Sequence, residues 1–133
     1  MWREAPSALF ACIILYMEGL SNFERDVRPW GAFERFTLNE NTTVKIITVK
    51  AGEAFSLQTH AHRKEVWRIL SGSGSVTVGD TKTEAIAGKS FCIEAGVQHR
   101  AEAGTEDLQF LEIAFGEFDE GDITRLEDKY GRT

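Results

Sequence analysis

From about Arg35 onward the sequence is cut into short apolar or alternating runs, each closed by turn residues and recurring every eight to twelve positions. VKIITV (44–49) stops at AGE, VWRIL (66–70) at SGSG and SVTV (75–78) at Gly79-Asp80. TKTEAI (81–86) stops at AGK, SFCIEA (90–95) at Gly96, and LQFLEIAF (108–115) at Gly116. The runs are rich in β-branched residues, which suit a pleated, half-buried surface. With 12 glycines, many at these boundaries, and only 2 prolines, the pattern predicts an all-β chain. Evenly spaced short strands imply a sandwich or barrel, a double-sheet jelly roll among them. The tail DITRLEDKYG (122–131) departs from this rhythm and reads as a short helix or turn, with Asp122 as its N-cap.

A length of 133 residues predicts one domain with a real core. We expect an N-terminal extension over 1–26 and a single domain over 27–133. In the extension, Ala8–Met17 (ALFACIILYM) is an uninterrupted apolar run, too short to span a bilayer. It reads first as a docked helix or strand covering a sheet face or dimer interface. An upstream extension without function comes second, with Met17 as the start, and a secretion signal third, since Glu4 weakens the positive flank. A net charge of −6 without a basic stripe argues against nucleic acid or an anionic membrane as partner. Cys12 and Cys92 stand far apart in apolar runs and suggest small buried hydrophobes in a cytoplasmic protein, not a disulfide or thiolate site.

The chemistry concentrates in FSLQTHAHRKEVW (55–67), which holds two of the three histidines. If 55–62 is a strand, Gln58, His60 and His62 share one face. Three polar groups facing a barrel interior are costly unless they bind something. A turn near Arg63-Lys64 leads to a strand on which Glu65, Trp67 and Ile69 share a face, so Glu65 can lie across from Gln58 or His60. His99 follows the Gly96 turn on a later strand.

These residues resemble the cupin motifs G-x5-H-x-H-x3,4-E-x6-G and G-x5-P-x-G-x2-H-x3-N. Counting from His60 fails, because the glutamate would fall at Val66 or Trp67. Counting from Gly52 satisfies every spacing, with Gln58 in the first histidine's place, then His60, Glu65 and Gly72. The second motif runs from Gly88 through Glu94 in the proline slot, Gly96 and His99 to Ala103 in the asparagine slot. The resemblance implies a cupin double-stranded β-helix, a jelly-roll barrel, with one divalent metal ion on Gln58, His60, Glu65 and His99. His62 then becomes a neighbour. Two imidazoles, a carboxylate and an amide oxygen suit Zn²⁺ first, with Fe²⁺, Mn²⁺, Co²⁺ or Ni²⁺ as alternatives. An open coordination position would favour Lewis-acid or proton-transfer chemistry.

Within the cupins the chain resembles type II mannose-6-phosphate isomerase domains, found alone or as the C-terminal part of mannose-1-phosphate guanylyltransferases. The signatures stand as Arg28-Pro29-Trp30-Gly31, as Leu57-Gln58-Thr59-His60-Ala61-His62-Arg63-Lys64-Glu65-Val66-Trp67, and as the closing E-x-D-I-x-R-x-x-D-x-Y-G-R at Glu120–Arg132. They cover 28–132. Lys64 and Val66 replace the family's alanine and histidine around the glutamate, and Glu94 and Ala103 replace its proline and asparagine. These changes leave the ligands intact and alter what surrounds them. The resemblance implies aldose–ketose interconversion of a sugar phosphate, with His62 or Glu94 as the general base. Arg63, Lys64, Arg100, Arg125 and Arg132 are the candidate phosphate ligands. Guanylyl transfer is not expected, since no nucleotidyltransferase domain is present in the sequence. A homodimer is expected. A non-catalytic sugar-binding cupin and an Fe²⁺-dependent dioxygenase are the alternatives, separable by metal content and turnover.

Overall fold

The computed structural model describes residues 19–132, so the run Ala8–Met17 and Cys12 lie outside the described residues. The described residues fall into two compact units, divided between Glu40 and Asn41. In the first, β1 (Glu24–Arg28) and β2 (Gly31–Arg35) form an antiparallel hairpin in register from Glu24↔Arg35 to Arg28↔Gly31. The Arg28-Pro29-Trp30-Gly31 signature makes its turn. Proline fixes φ at the corner, and Gly31 leaves it with a φ of +144°, a region other residues avoid. The Arg35–Glu24 ion pair joins the two strands at 3.1 Å, and within β1 Arg28 pairs with the buried Asp26 at 3.1 Å.

The second unit is a jelly roll. Its strands are β3 (Thr42–Val49), β4 (Leu57–Thr59), β5 (Glu65–Ser71), β6 (Gly74–Val78), β7 (Thr81–Glu84), β8 (Ser90–Ile93), β9 (His99–Ala103), β10 (Leu108–Phe115) and β11 (Thr124–Glu127). One sheet runs β3-β10-β5-β8 and the other β11-β4-β9-β6-β7, antiparallel throughout. Apart from β6 to β7, every connection from β3 to β11 passes from one sheet to the other, so the two layers share one core. Alternation assigns the faces: Trp67, Ile69, Ile93, Leu108 and Phe110 of one sheet meet Val76 and Ala101 of the other, all buried. Trp67 stacks on Phe110 with ring centroids 4.5 Å apart. Gly72 closes β5 at φ +95°, where a Cβ would stand 1.8 Å from the Asp107 carbonyl oxygen. The last glycine of the first motif therefore has a backbone reason.

The jelly roll matches the sequence reading, and its ends correct it. The short C-terminal helix anticipated within 122–131 does not form. Thr124–Glu127 is instead strand β11, paired with β4 through Thr124↔Thr59 and Arg125↔Gln58. The edge of β4 offers unpaired backbone groups, and satisfying them outweighs a marginal local preference for helix. The strand expected over 55–62 is also shorter than anticipated, since β4 covers only Leu57–Thr59. Past Thr59 the chain turns, so His60 and His62 no longer share a face.

Candidate metal centre

His60, Glu65 and His99 converge from the end of β4, the start of β5 and the start of β9, and all three are buried. Their nearest ligand atoms lie within 4.8 Å of one another. His60 Nε2 stands 3.4 Å from Glu65 Oε2, and His99 Nε2 stands 3.7 Å from Glu65 Oε1. Two donors each about 2.1 Å from one ion in a tetrahedron are about 3.4 Å apart, so this spacing fits a small divalent cation.

The hydrogen bonds select the correct lone pairs. His99 Nδ1–H donates to the Val97 carbonyl at 2.9 Å. Its Nε2 is thereby left as an acceptor, buried and with no hydrogen-bond partner. Burial, the largest influence, pulls the His99 pKa below its ordinary value and keeps the ring neutral at pH 7. His60 Nδ1 lies 2.7 Å from the Asp122 carbonyl, which can only accept, so that nitrogen carries the proton. His60 Nε2 then accepts from the Gln58 amide at 3.3 Å and the Arg63 guanidinium at 3.2 Å. For Glu65, burial acts to raise the pKa. The Arg63 hydrogen bond and the neighbouring histidines outweigh it, so the carboxylate is held below its ordinary range. Arg63 Nε and Trp67 Nε1 donate to its two oxygens at 2.8 and 3.2 Å. Two imidazoles that both present Nε2, with an ionised carboxylate, form a donor set suited to Zn²⁺ or a related ion.

Gln58 lies against this trio with its amide toward His60 while its oxygen accepts from Ser56 Oγ at 2.7 Å. Exchanging the amide's O and N leaves the heavy atoms in place and turns the oxygen toward the ligands. A cleft of about 150 Å³ opens from the cluster, lined by Gln58, His60, Arg63, Lys45, Glu112 and Phe55 among others. Glu112 went unnoticed in the sequence. It sits on β10 directly across from Trp67 and Lys45, is 5 % exposed, and shares a hydrogen bond with Glu65. Burial, reinforced by the Glu65 charge, raises its pKa to about 7. The signal that could have found it is strand alternation, which puts Glu112 on the face of the core residues Leu108 and Phe110.

Other anticipated site residues lie elsewhere. His62 is exposed, and its backbone N–H is bound by Asp122 at 2.9 Å. Glu94 is exposed at the end of β8 and accepts from Cys92 Sγ at 3.5 Å; the strand turns both away from the inward-facing Ile93. Lys64 lies over the Phe115 ring at 4.7 Å. Arg100 donates to the Phe55 and Glu127 carbonyls at 3.0 and 3.2 Å. Arg132 is held by Asp128 at 2.7 Å. Of the five candidate phosphate ligands, Arg63 reaches the cluster, where it also stacks on Phe118 at 4.4 Å. Arg125 stands across from Gln58, with Nε buried and unpartnered.

The family described as "Mannose-6-phosphate isomerase C-terminal" matches residues 18–128. The chain belongs to this family. It is 43 % identical over 108 residues to the xanthan biosynthesis protein XanB of Xanthomonas campestris, covering 80 % of this chain and 23 % of that protein. It is 41 % identical over 108 residues to the alginate biosynthesis protein AlgA of Pseudomonas aeruginosa, covering 80 % and 22 %. The chain thus spans under a quarter of the length of these relatives. Among solved structures, an uncharacterized conserved protein with a double-stranded β-helix domain from Klebsiella pneumoniae superposes with a TM-score of 0.58 at 18 % identity, covering 92 % of this chain and all of that one. That likeness shows the fold, and the buried His60-Glu65-His99 cluster occupies the interior of a cupin related to the mannose-phosphate isomerase C-terminal domain. No helix among the described residues is long and apolar enough to cross a membrane.

Proposed function

We propose that the chain is a metal-dependent sugar-phosphate isomerase domain that interconverts an aldose and a ketose phosphate by proton transfer. The observation that carries this reading is the unpartnered, buried Nε2 of His99, facing Glu65 and His60 at ion-binding spacing in a member of an isomerase-named family. His60, Glu65 and His99 would hold the ion, with Gln58 as a fourth donor after its amide turns. Zn²⁺ suits this set first, with Fe²⁺, Mn²⁺, Co²⁺ or Ni²⁺ as alternatives. A bound divalent ion would supply Lewis-acid stabilisation of negative charge developing on sugar oxygens.

The chain's own residues do the rest. Glu112 faces the same cleft and is the carboxyl placed to take and return a proton there, a role its position supports better than those of the exposed His62 and Glu94. Lys45 and Arg63 line the cleft and both lie against the Phe118 ring, at 4.2 and 4.4 Å, offering cations to a phosphate. Phe55 and Ile47 give one wall an apolar surface that excludes water.

The test is a coupled assay of mannose 6-phosphate and fructose 6-phosphate interconversion by the purified, metal-loaded chain. We expect turnover that is lost in His99→Ala and in Glu112→Gln. Saturable binding of the sugar phosphate with no turnover would leave a binding module in its place.

A further inference from the structure

The closing motif E-x-D-I-x-R has no assigned task in the metal site, yet its backbone and side chains reach it. Asp122 makes three contacts with the turn that carries His60. One carboxylate oxygen accepts from the Ala61 N–H at 2.8 Å and the other from the His62 N–H at 2.9 Å. The Asp122 carbonyl accepts a hydrogen bond from His60 Nδ1–H at 2.7 Å. These bonds meet the chain where β4 has ended and β5 has not begun, so no ladder fixes residues 60–62. The Gly96 N–H donates to the His60 carbonyl at 2.7 Å and is a further backbone restraint on that turn. The pairing of β11 with β4 fixes where Asp122 begins.

We infer that Asp122 is a positioning residue for the metal site: its carboxylate clamps the Ala61-His62 amides while its carbonyl fixes the His60 tautomer, so that Nε2 is presented to the ion. The inference rests on His60 being a metal ligand. Partners of this kind set the ring orientation and basicity of metal-binding histidines and are worth about 10- to 100-fold in metal affinity. A carboxylate that accepts two consecutive backbone N–H groups cannot be replaced in full by an amide, which keeps one oxygen acceptor.

Co²⁺ titration of the full chain, followed by the ligand-field absorption and by competition with a chelator, tests this in wild type, His60→Ala, Asp122→Ala, Asp122→Asn and the His60→Ala/Asp122→Ala double variant. Thermal melts in EDTA establish which variants are folded. We expect Asp122→Ala to weaken Co²⁺ binding about tenfold or more, Asp122→Asn to fall between it and wild type, and the absorption of the remaining complex to shift. The double variant should bind no more weakly than His60→Ala alone, because the clamp acts through His60. Unchanged affinity in the Asp122 variants while His60→Ala loses it would overturn the inference and leave the metal site standing. Equal losses with and without His60 would overturn it too. Unchanged affinity in His60→Ala would overturn the metal-site reading and the inference with it. Should Asp122→Ala not fold, Asp122→Asn decides alone, and wild-type affinity there counts against the clamp.

Discussion

Replacing Glu112 by glutamine should remove a pH-dependent loss of stability. Glu112 is 5 % exposed, and burial, with the Glu65 charge next to it, raises its pKa from 4.5 to about 7. Because the folded pKa is the higher one, the folded state binds the proton more tightly than the unfolded state between those values. The associated stability is fully present below pH 4.5 and is lost as pH rises through about 7. At 1.36 kcal/mol per unit the shift corresponds to roughly 3 kcal/mol. Glutamine has nearly the same shape, can still donate to Glu65, and does not ionise. The stability of Glu112→Gln relative to wild type should therefore climb by roughly 3 kcal/mol from pH 4.5 to pH 8 and then level off. Glu65, held below its ordinary pKa, acts in the opposite sense and is lost on acidification, but it is common to both proteins and largely cancels in the difference. Urea denaturation at a series of pH values, with EDTA present so that no cation alters the field at Glu112, measures that difference directly. A difference that stays flat across this window would refute the claim that Glu112 is buried against Glu65 without an adequate counter-charge.

Trp67→Ala removes the largest buried side chain of the barrel together with the N–H donor to Glu65, and should cost about 3–5 kcal/mol in chemical denaturation. Trp67→Phe should recover most of that loss while leaving the Glu65 oxygen without its donor, visible as weaker metal binding than wild type. His62→Ala and Glu94→Ala, both at exposed positions, should leave metal content unchanged and shift stability by less than about 0.5 kcal/mol. Loss of metal in either variant would reinstate that residue near the ion.

The jelly roll was legible because the runs and their glycine stops alternate at a period only paired strands can use. Six quoted runs became β3, β5, β6, β7, β8 and β10 with small shifts at their ends. Glu65, Trp67 and Ile69 were placed on one inward face by the same alternation. Alternation carried past Thr59 puts His60 and His62 on a common face, because nothing in the sequence signals that β4 ends there. Asp122 looked like a helix cap because aspartate before a polar, amphipathic stretch is the usual signature. Its actual partners, the Ala61 and His62 amides, lie sixty residues away and cannot be seen locally. Glu112 was hidden in LQFLEIAF, a run apolar on both faces, where one carboxylate looks like an interruption. The cations were the least legible. Arg100 and Arg132 are held by carbonyls and by Asp128, contacts that only folding creates.

The central claim is that His60, Glu65 and His99 form one divalent-metal site, and calorimetric titration of the metal-stripped chain with Zn²⁺ tests it most directly. One ion per chain should bind to the wild type, while His99→Ala, still folded by its melt in EDTA, should lose that binding. Wild-type affinity in folded His99→Ala, or no saturable Zn²⁺ binding to the wild type, would contradict the account.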